Sequence, residues 1–163
     1  MVHDTSSSMW SEGKYASPGL ENLAEEGGFV KIGMEQDSII HIKRALSKFI
    51  ILPPVINGTT ETYLSFNSHY PCFSFATMIA PSPDWFTGIS GFSLYQNQHW
   101  VEDVSLDLYA WDAGTEEGDI FGYNNPPTVP QQFIKRLTSV NATVLANGNS
   151  QLAPIGTIHF KKD

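Results

Sequence analysis

The chain has one cysteine, few basic residues and no long apolar run. Because Cys72 has no second cysteine to pair with, an internal disulfide and a zinc site built from several thiolates are both excluded. Nine Lys and Arg face seventeen Asp and Glu, which gives a formal net charge of −8. A surface this acidic repels phosphate backbones, so nucleic acid is a poor partner and a cation is a better one.

No apolar segment is long enough to cross a membrane as a helix. The densest one, Phe49 to Leu52, ends at Pro53-Pro54. The first five residues also lack the basic and apolar parts of a signal peptide. We therefore expect no transmembrane segment, and the sequence does not specify a compartment.

The composition favours short strands and turns over a helical bundle. Aromatic residues make up 12% of the chain, charged residues only 16%, and there are 13 Gly and 10 Pro. The length of 163 residues suits one domain with one core. We therefore expect a single all-β domain over residues 1–163, built as an antiparallel β-sandwich.

Helices are predicted only in the N-terminal third, after polar and irregular residues 1–16. Ser17 suits an N-cap, Pro18 the first helical position, and Gly27-Gly28 the end of a short helix. In the segment Ile39 to Leu52, helical spacing fits the first part and strand character fits the last four residues. The boundary between them stays open at this stage.

Strand-like runs separated by turns fill the rest of the chain. The strongest is Val101 to Trp111, where Val104, Leu106 and Leu108 alternate with polar residues at the period of a half-buried strand. Short strands at even spacing are typical of a sandwich. The other candidates are Thr62 to Phe66, Phe73 to Ala80, Ser90 to Tyr95, Ile134 to Leu137, Ala142 to Leu145 and Ile155 to Phe160.

Two acidic loops, Ala80 to Trp85 and Trp111 to Gly118, each follow a strand-like run. If they meet at one end of a sheet, they bring Asp84, Asp112 and Glu116 together, and calcium favours carboxylate oxygens. The second loop does not have the spacing of an EF-hand. Spacing alone favours solvated turn residues over a metal site, because Asp and Gly are common in turns for conformational reasons.

The residues around both loops resemble a known family. The blocks Ser74 to Gly88 and Leu108 to Gly118, with their Pro-Ser-Pro-Asp-Trp and Asp-Ala-Gly-Thr cores, closely resemble the two signature blocks of the spondin domain. The similarity extends to residues 10–27 and 125–134, so it covers most of the chain. Long blocks in the same order are far more specific than one short motif.

The resemblance implies a β-sandwich related to C2 domains, with a calcium ion at one end of the sheets. The family's ligands correspond here to Asp84, Asp112 and Glu116. It further implies a non-enzymatic, extracellular or cell-surface module that mediates adhesion or contact with matrix or cell-surface proteins. The alternative is a calcium-dependent, C2-like membrane-docking module, for which the loops supply Trp85 and Phe86 but no basic residue.

The chain departs from the family pattern in three ways. Glu116 is one methylene longer than the aspartate usual in animal members, and Leu94-Tyr95 stands where those members have paired cysteines. Members of the family usually have a first strand before the segment matched by Trp10, and we expect this chain to lack that strand. The sheet would then have an open edge. Such an edge accepts a strand from another chain, which predicts a strand-swapped or strand-completed oligomer.

Overall fold

A computed structural model of the protein describes residues 1–48, 58–146 and 148–163. The described residues contain two helices in the N-terminal third, one later helical turn and ten short strands. The helices are α1 (Pro18–Glu26), α2 (Val30–His41) and α3 (Thr143–Ala146). The strands are β1 (Val2–His3), β2 (Ala45–Ser47), β3 (Cys72–Met78), β4 (Trp85–Ser93), β5 (Tyr95–Gln96), β6 (His99–Trp100), β7 (Asp103–Leu108), β8 (Ala110–Asp112), β9 (Lys135–Arg136) and β10 (Gly156–Lys161).

Antiparallel pairing dominates the structure. Six strands form one sheet in the order β2-β1-β3-β4-β8-β9, while β7 pairs with β10 and β5 pairs with β6. The longest ladder in the large sheet joins β3 to β4, from Cys72 opposite Ser93 to Met78 opposite Phe86. The predicted all-β antiparallel sandwich with short N-terminal helices is confirmed.

Both faces of β4 are covered where the strand begins. Trp85 and Phe86 are completely buried, and neighbouring residues of a strand point to opposite faces. Phe86 packs in one apolar cluster with Trp10, whose ring it meets edge-on at 5.0 Å, and with Leu20 of α1. Trp85 packs in a second cluster with Leu137. These anchors fix the residue just before the strand, Asp84.

The predicted helix caps of α1 are confirmed. The Ser17 hydroxyl oxygen accepts the Leu20 amide at 3.2 Å, and Gly27 ends the helix in the left-handed conformation at φ 69°. A Cβ on Gly27 would lie 2.9 Å from the Met78 sulfur at the end of β3. The acidic end of α1 therefore lies beside the loop that joins β3 to β4.

Residues 1–16 were expected to be irregular, but the structure has a strand within them. Val2 and His3 are completely buried in β1, which lies between β2 and β3. The open boundary after Ile39 is placed by the structure: α2 ends at His41 and β2 begins at Ala45. The expected strand character of Phe49 to Leu52 lies outside the described residues.

Two strand predictions are wrong. Thr62 to Phe66 forms no ladder, because β3, the strand that follows it, is already paired on both sides by β1 and β4. Ala142 to Leu145 lies largely in the helical turn α3, where the Ala142 amide donates to the Thr138 carbonyl at 3.0 Å. Local turn bonding there overrides the strand preference of the β-branched residues.

The remaining strand predictions are confirmed with shifted boundaries. The run Val101 to Trp111 divides at Tyr109 into β7, which pairs with β10, and β8, which pairs with β4. Half-buried and exposed residues alternate along β7, as the period of two predicts. The strand expected at Ser90 begins earlier, at Trp85, which extends it to the first acidic loop.

Candidate metal centre

Asp84 ties the two acidic loops together. It directly precedes β4 and is completely buried. Its Oδ2 accepts the backbone amides of Thr115 at 2.6 Å and Glu116 at 3.1 Å, and the Thr115 hydroxyl at 3.3 Å. These donors all lie in the second loop. The prediction that the two acidic loops meet is therefore confirmed through Asp84.

The other carboxylate oxygen of Asp84 is different. Oδ1 is buried and has no hydrogen-bond partner within the described residues. An unpartnered polar atom is costly in the interior, and a charged one costs more. Burial, together with the smaller effect of the nearby charge of Asp112, raises the pKa of Asp84 to about 6. A bound cation would relieve both costs.

Asp112 ends β8 directly opposite Trp85 of β4. Its Oδ1 accepts the Gly114 amide at 2.7 Å, which closes the turn, and its Oδ2 lies 3.3 Å from Lys135 Nζ on β9. The Lys135 ammonium is thus the cation that Asp112 contacts in the described structure.

The turn after Asp112 requires glycine. Gly114 has φ +77°, and a Cβ there would lie 2.4 Å from the Gln132 carbonyl oxygen. The Gln132 amide donates to the Gly114 carbonyl at 2.8 Å, and the Thr128 amide donates to the Thr115 carbonyl at 2.8 Å. The extended segment 126–132 therefore braces the second loop, a role that sequence reasoning missed because no local pattern encodes it.

Glu116 lies between two clefts. One, of about 380 Å³, is also lined by Asp112 and Lys135. The other, of about 370 Å³, is also lined by Glu25 and Glu26 from the end of α1. Burial raises the pKa of Glu116, and the charge of Glu25 raises it further. Sequence reasoning missed Glu25, since only the packing of α1 on the sheet brings it here.

The three predicted ligands therefore share one region but do not close around a point. Among the described residues, no group of three or more His, Cys, Asp or Glu side chains is arranged to hold a metal ion. The chemistry of the donor set still fits a hard cation, because it consists of carboxylates and includes the unpartnered Oδ1 of Asp84. The site residues Asp84, Asp112 and Glu116 stay a prediction.

The raised pKa of Asp84 predicts how stability depends on pH without calcium. The folded state takes up a proton near pH 6 and the unfolded state near 3.8, so protonation of Asp84 stabilises the fold as the pH falls through this window, by up to about 3 kcal/mol. Burial lowers the pKa of His3, which acts in the opposite direction.

Urea denaturation in EDTA at about pH 7.5 and about pH 5, which bracket the pKa of Asp84, measures this effect. Comparing wild type with Asp84→Asn isolates the contribution of Asp84. We expect the stability difference between the two proteins to change in favour of the wild type as the pH falls. Parallel pH profiles would show that Asp84 titrates normally.

Comparison with known proteins gives the family. The Spondin_N family model matches residues 1–148, which include both acidic loops. The chain belongs to the spondin N-terminal domain family. Spondin-2 of Homo sapiens is 33% identical over 148 residues, covering 90% of this chain and 45% of that protein. Spondin-1 of Gallus gallus is 35% identical over 145 residues, covering 85% of this chain and 18% of that protein.

This spondin-type domain thus spans about half the length of the spondin-2 relatives it matches and under a fifth of the spondin-1 relatives. Of the ten strands, β10 at Gly156–Lys161 lies beyond the matched residues. Within the described part of the chain, no helix is both long and apolar enough to span a bilayer.

Proposed function

We propose that this spondin-type domain is a non-enzymatic calcium-binding module of the extracellular space or cell surface that contacts matrix or cell-surface proteins. Family membership supports the setting and the contact role. The observation that carries the calcium proposal is the buried, unpartnered Oδ1 of Asp84 beside the charge of Asp112. A divalent cation is the simplest partner for both.

In this proposal Asp84, Asp112 and Glu116 hold the ion. Calcium supplies positive charge that the buried carboxylate lacks, and so stabilises the junction of the two loops. Asp84 is already oriented by the amides of the second loop, which lowers the entropy lost on binding. The ion competes with Lys135 for Asp112, since that pair is 3.3 Å apart and the lysine is partly exposed.

The membrane-docking alternative loses its main support. Trp85 and Phe86, the apolar residues of the first loop, are completely buried and so do not reach a bilayer surface. They are core anchors of the two faces of the sheet.

No described feature favours an enzyme. The run Gly88 to Phe92 resembles a nucleophile elbow, but Phe92 stands where the motif has its closing glycine. Its Ser90 hydroxyl donates to the Trp10 carbonyl oxygen, within the extended strand β4 rather than at a strand-to-helix turn. The Ser90 hydroxyl therefore has a structural hydrogen-bond partner.

Thermal unfolding tests the calcium proposal. With free calcium at about 100 times its dissociation constant, binding to the folded state adds about 2.7 kcal/mol to the free energy of unfolding. We expect a higher melting temperature in calcium than in EDTA, and a much smaller difference for Asp112→Asn. Superimposed wild-type curves, from protein shown to be metal-free after chelation, would contradict the proposal.

A further inference from the structure

The segment Asn141-Ala142-Thr143 has the pattern of an acceptor for N-linked glycans: an asparagine followed two residues later by threonine, with no proline between them. So short a pattern also arises by chance, and the fold has to leave room for the glycan. The segment lies between β9 and α3, and Thr143 is the first residue of α3. A second such pattern begins at Asn57, which lies outside the described residues.

The chain around the acceptor lies at the surface. Val140, which is peptide-bonded to Asn141, is 83% exposed, and Thr143 is exposed as well. Ala142, between Asn141 and Thr143, is completely buried in the same cluster as Trp85. The middle residue of the pattern therefore anchors the segment on the core, and the residues on either side of it are accessible to solvent.

The side chain of Asn141 uses one of its two polar atoms in the fold. Its Oδ1 accepts the Thr138 amide at 2.6 Å and the Thr138 hydroxyl at 2.9 Å. A backbone amide can only donate, so the atom that faces it is the carbonyl oxygen, and the nitrogen is the other atom. Among the described residues, no hydrogen-bond partner of Nδ2 is present.

A glycan attached at Nδ2 leaves this turn intact. A glycosylated asparagine keeps its carbonyl oxygen, so both bonds from Thr138 to Asn141 persist. The 3.0 Å bond from the Ala142 amide to the Thr138 carbonyl is not affected either. The modification therefore uses the atom that the described structure does not.

Asn141 also lines the cleft of about 380 Å³, together with Asp112, Glu116 and Lys135. A glycan on Asn141 therefore begins at the wall of this cleft. Glycans are bulky and strongly hydrated, so one attached here occupies the space through which the surface of a partner protein would reach the cleft. Water and small ions still enter beside it.

We propose that Asn141 is an N-glycosylation site and that its glycan screens the cleft beside the predicted calcium ligands from large partners. Nδ2 forms a bond to the anomeric carbon of an oligosaccharide carried on a polyprenyl diphosphate. The bond from that carbon to the diphosphate oxygen breaks, the lipid diphosphate leaves, and Nδ2 loses one of its two protons. The proposal rests on the extracellular setting proposed above, because the acceptor pattern is used in secreted chains, but it requires no calcium.

Secretion of the chain from eukaryotic cells, directed by an added signal sequence, tests the modification. We expect intact mass analysis to show an attached glycan that peptide:N-glycosidase removes. That enzyme leaves aspartate at the acceptor position, and digestion in water enriched in oxygen-18 labels this aspartate, which distinguishes it from ordinary deamidation. Secreted protein whose peptide around Asn141 carries neither glycan nor label would overturn the proposal.

Variants that preserve the turn assign the glycan to Asn141. Thr143→Ala removes the hydroxyl that the pattern requires but keeps both bonds from Thr138 to Asn141. Asn141→Asp keeps an acceptor oxygen for Thr138 but lacks the nitrogen. We expect both variants to be secreted without this glycan, and Thr143→Ser, which retains the pattern, to keep it. A glycan that persists on Asn141 in Thr143→Ala, or is absent in Thr143→Ser, would contradict the assignment.

Amine-reactive reagents of two sizes test whether the glycan screens the cleft. Lys135 is the reporter, because it lines the cleft and its side chain is 44% exposed. We expect a polymer-linked reagent to modify Lys135 several-fold faster in Thr143→Ala than in glycosylated wild type, and a small reagent to react equally with both. Exposed Lys31 on α2 is the control and should react equally throughout.

The reactions are run in EDTA, so their outcome does not depend on whether the protein binds calcium. Equal rates of the polymer-linked reagent at Lys135 with and without the glycan would overturn the screening role.

Discussion

Replacement of Asp84 by alanine is expected to lower the free energy of unfolding by about 4 kcal/mol, even without calcium. The substitution removes the acceptor of the Thr115 and Glu116 amides, and each buried donor left without a partner costs about 1–3 kcal/mol. It also leaves a cavity, because the Asp84 side chain is completely buried. Urea denaturation in EDTA measures the change.

Asp84→Asn is the matched control. Asparagine retains a carbonyl oxygen for the two amides and removes the charge that burial and Asp112 penalise. We expect it to cost less than about 1 kcal/mol at neutral pH in EDTA, and to lose the stabilisation by calcium. If both variants lost the same stability, the amide contacts of Asp84 would not be what stabilises the loop junction.

Gly114→Ala is expected to cost at least about 3 kcal/mol. The residue would have to hold φ +77°, which costs an L-residue about 1–2 kcal/mol, and its Cβ would lie 2.4 Å from the Gln132 carbonyl oxygen. That oxygen belongs to backbone fixed by the 2.8 Å bond from Gln132 to Gly114, so relief requires the brace of the loop to move.

Gly13→Ala separates the two causes. Gly13 has nearly the same φ, +76°, but a Cβ there meets nothing within 4 Å. We expect a loss of only about 1–2 kcal/mol for this variant. Chemical denaturation of both proteins gives the difference that the close approach to Gln132 contributes, and equal losses would show that the second loop is not braced by that segment.

Local sequence signals predicted the elements that depend on local bonding. Ser17, Pro18 and Gly27 define α1 through contacts within a few residues, and the alternation in β7 follows from one half-buried face. The strand prediction at Ala142 to Leu145 failed because local turn bonding forms α3 there. The prediction at Thr62 to Phe66 failed because a strand needs a free partner strand. The partners of β3 are set by β1 and β4, which no local pattern shows.

In the candidate site, too, some residues were predicted from the sequence and others are brought in only by the tertiary fold. Asp84, Asp112 and Glu116 were named from the two sequence blocks, and the meeting of the Asp84 loop with the second loop is confirmed. The pairing of Asp112 with Lys135 and the approach of Glu25 depend on residues distant in the chain. Neither follows from loop spacing, because β9 and α1 reach the site only through the tertiary packing.

Isothermal titration of metal-free protein with calcium, applied to the wild type and two variants, tests the predicted calcium site. We expect saturable binding of one ion by wild type and at least about tenfold weaker binding by Asp112→Asn, since a ligand charge is lost. We expect tighter binding by Lys135→Gln, because the competing cation 3.3 Å from Asp112 is removed. No heat of binding in the wild type, or equal affinities in all three proteins, would contradict a calcium site at Asp84, Asp112 and Glu116.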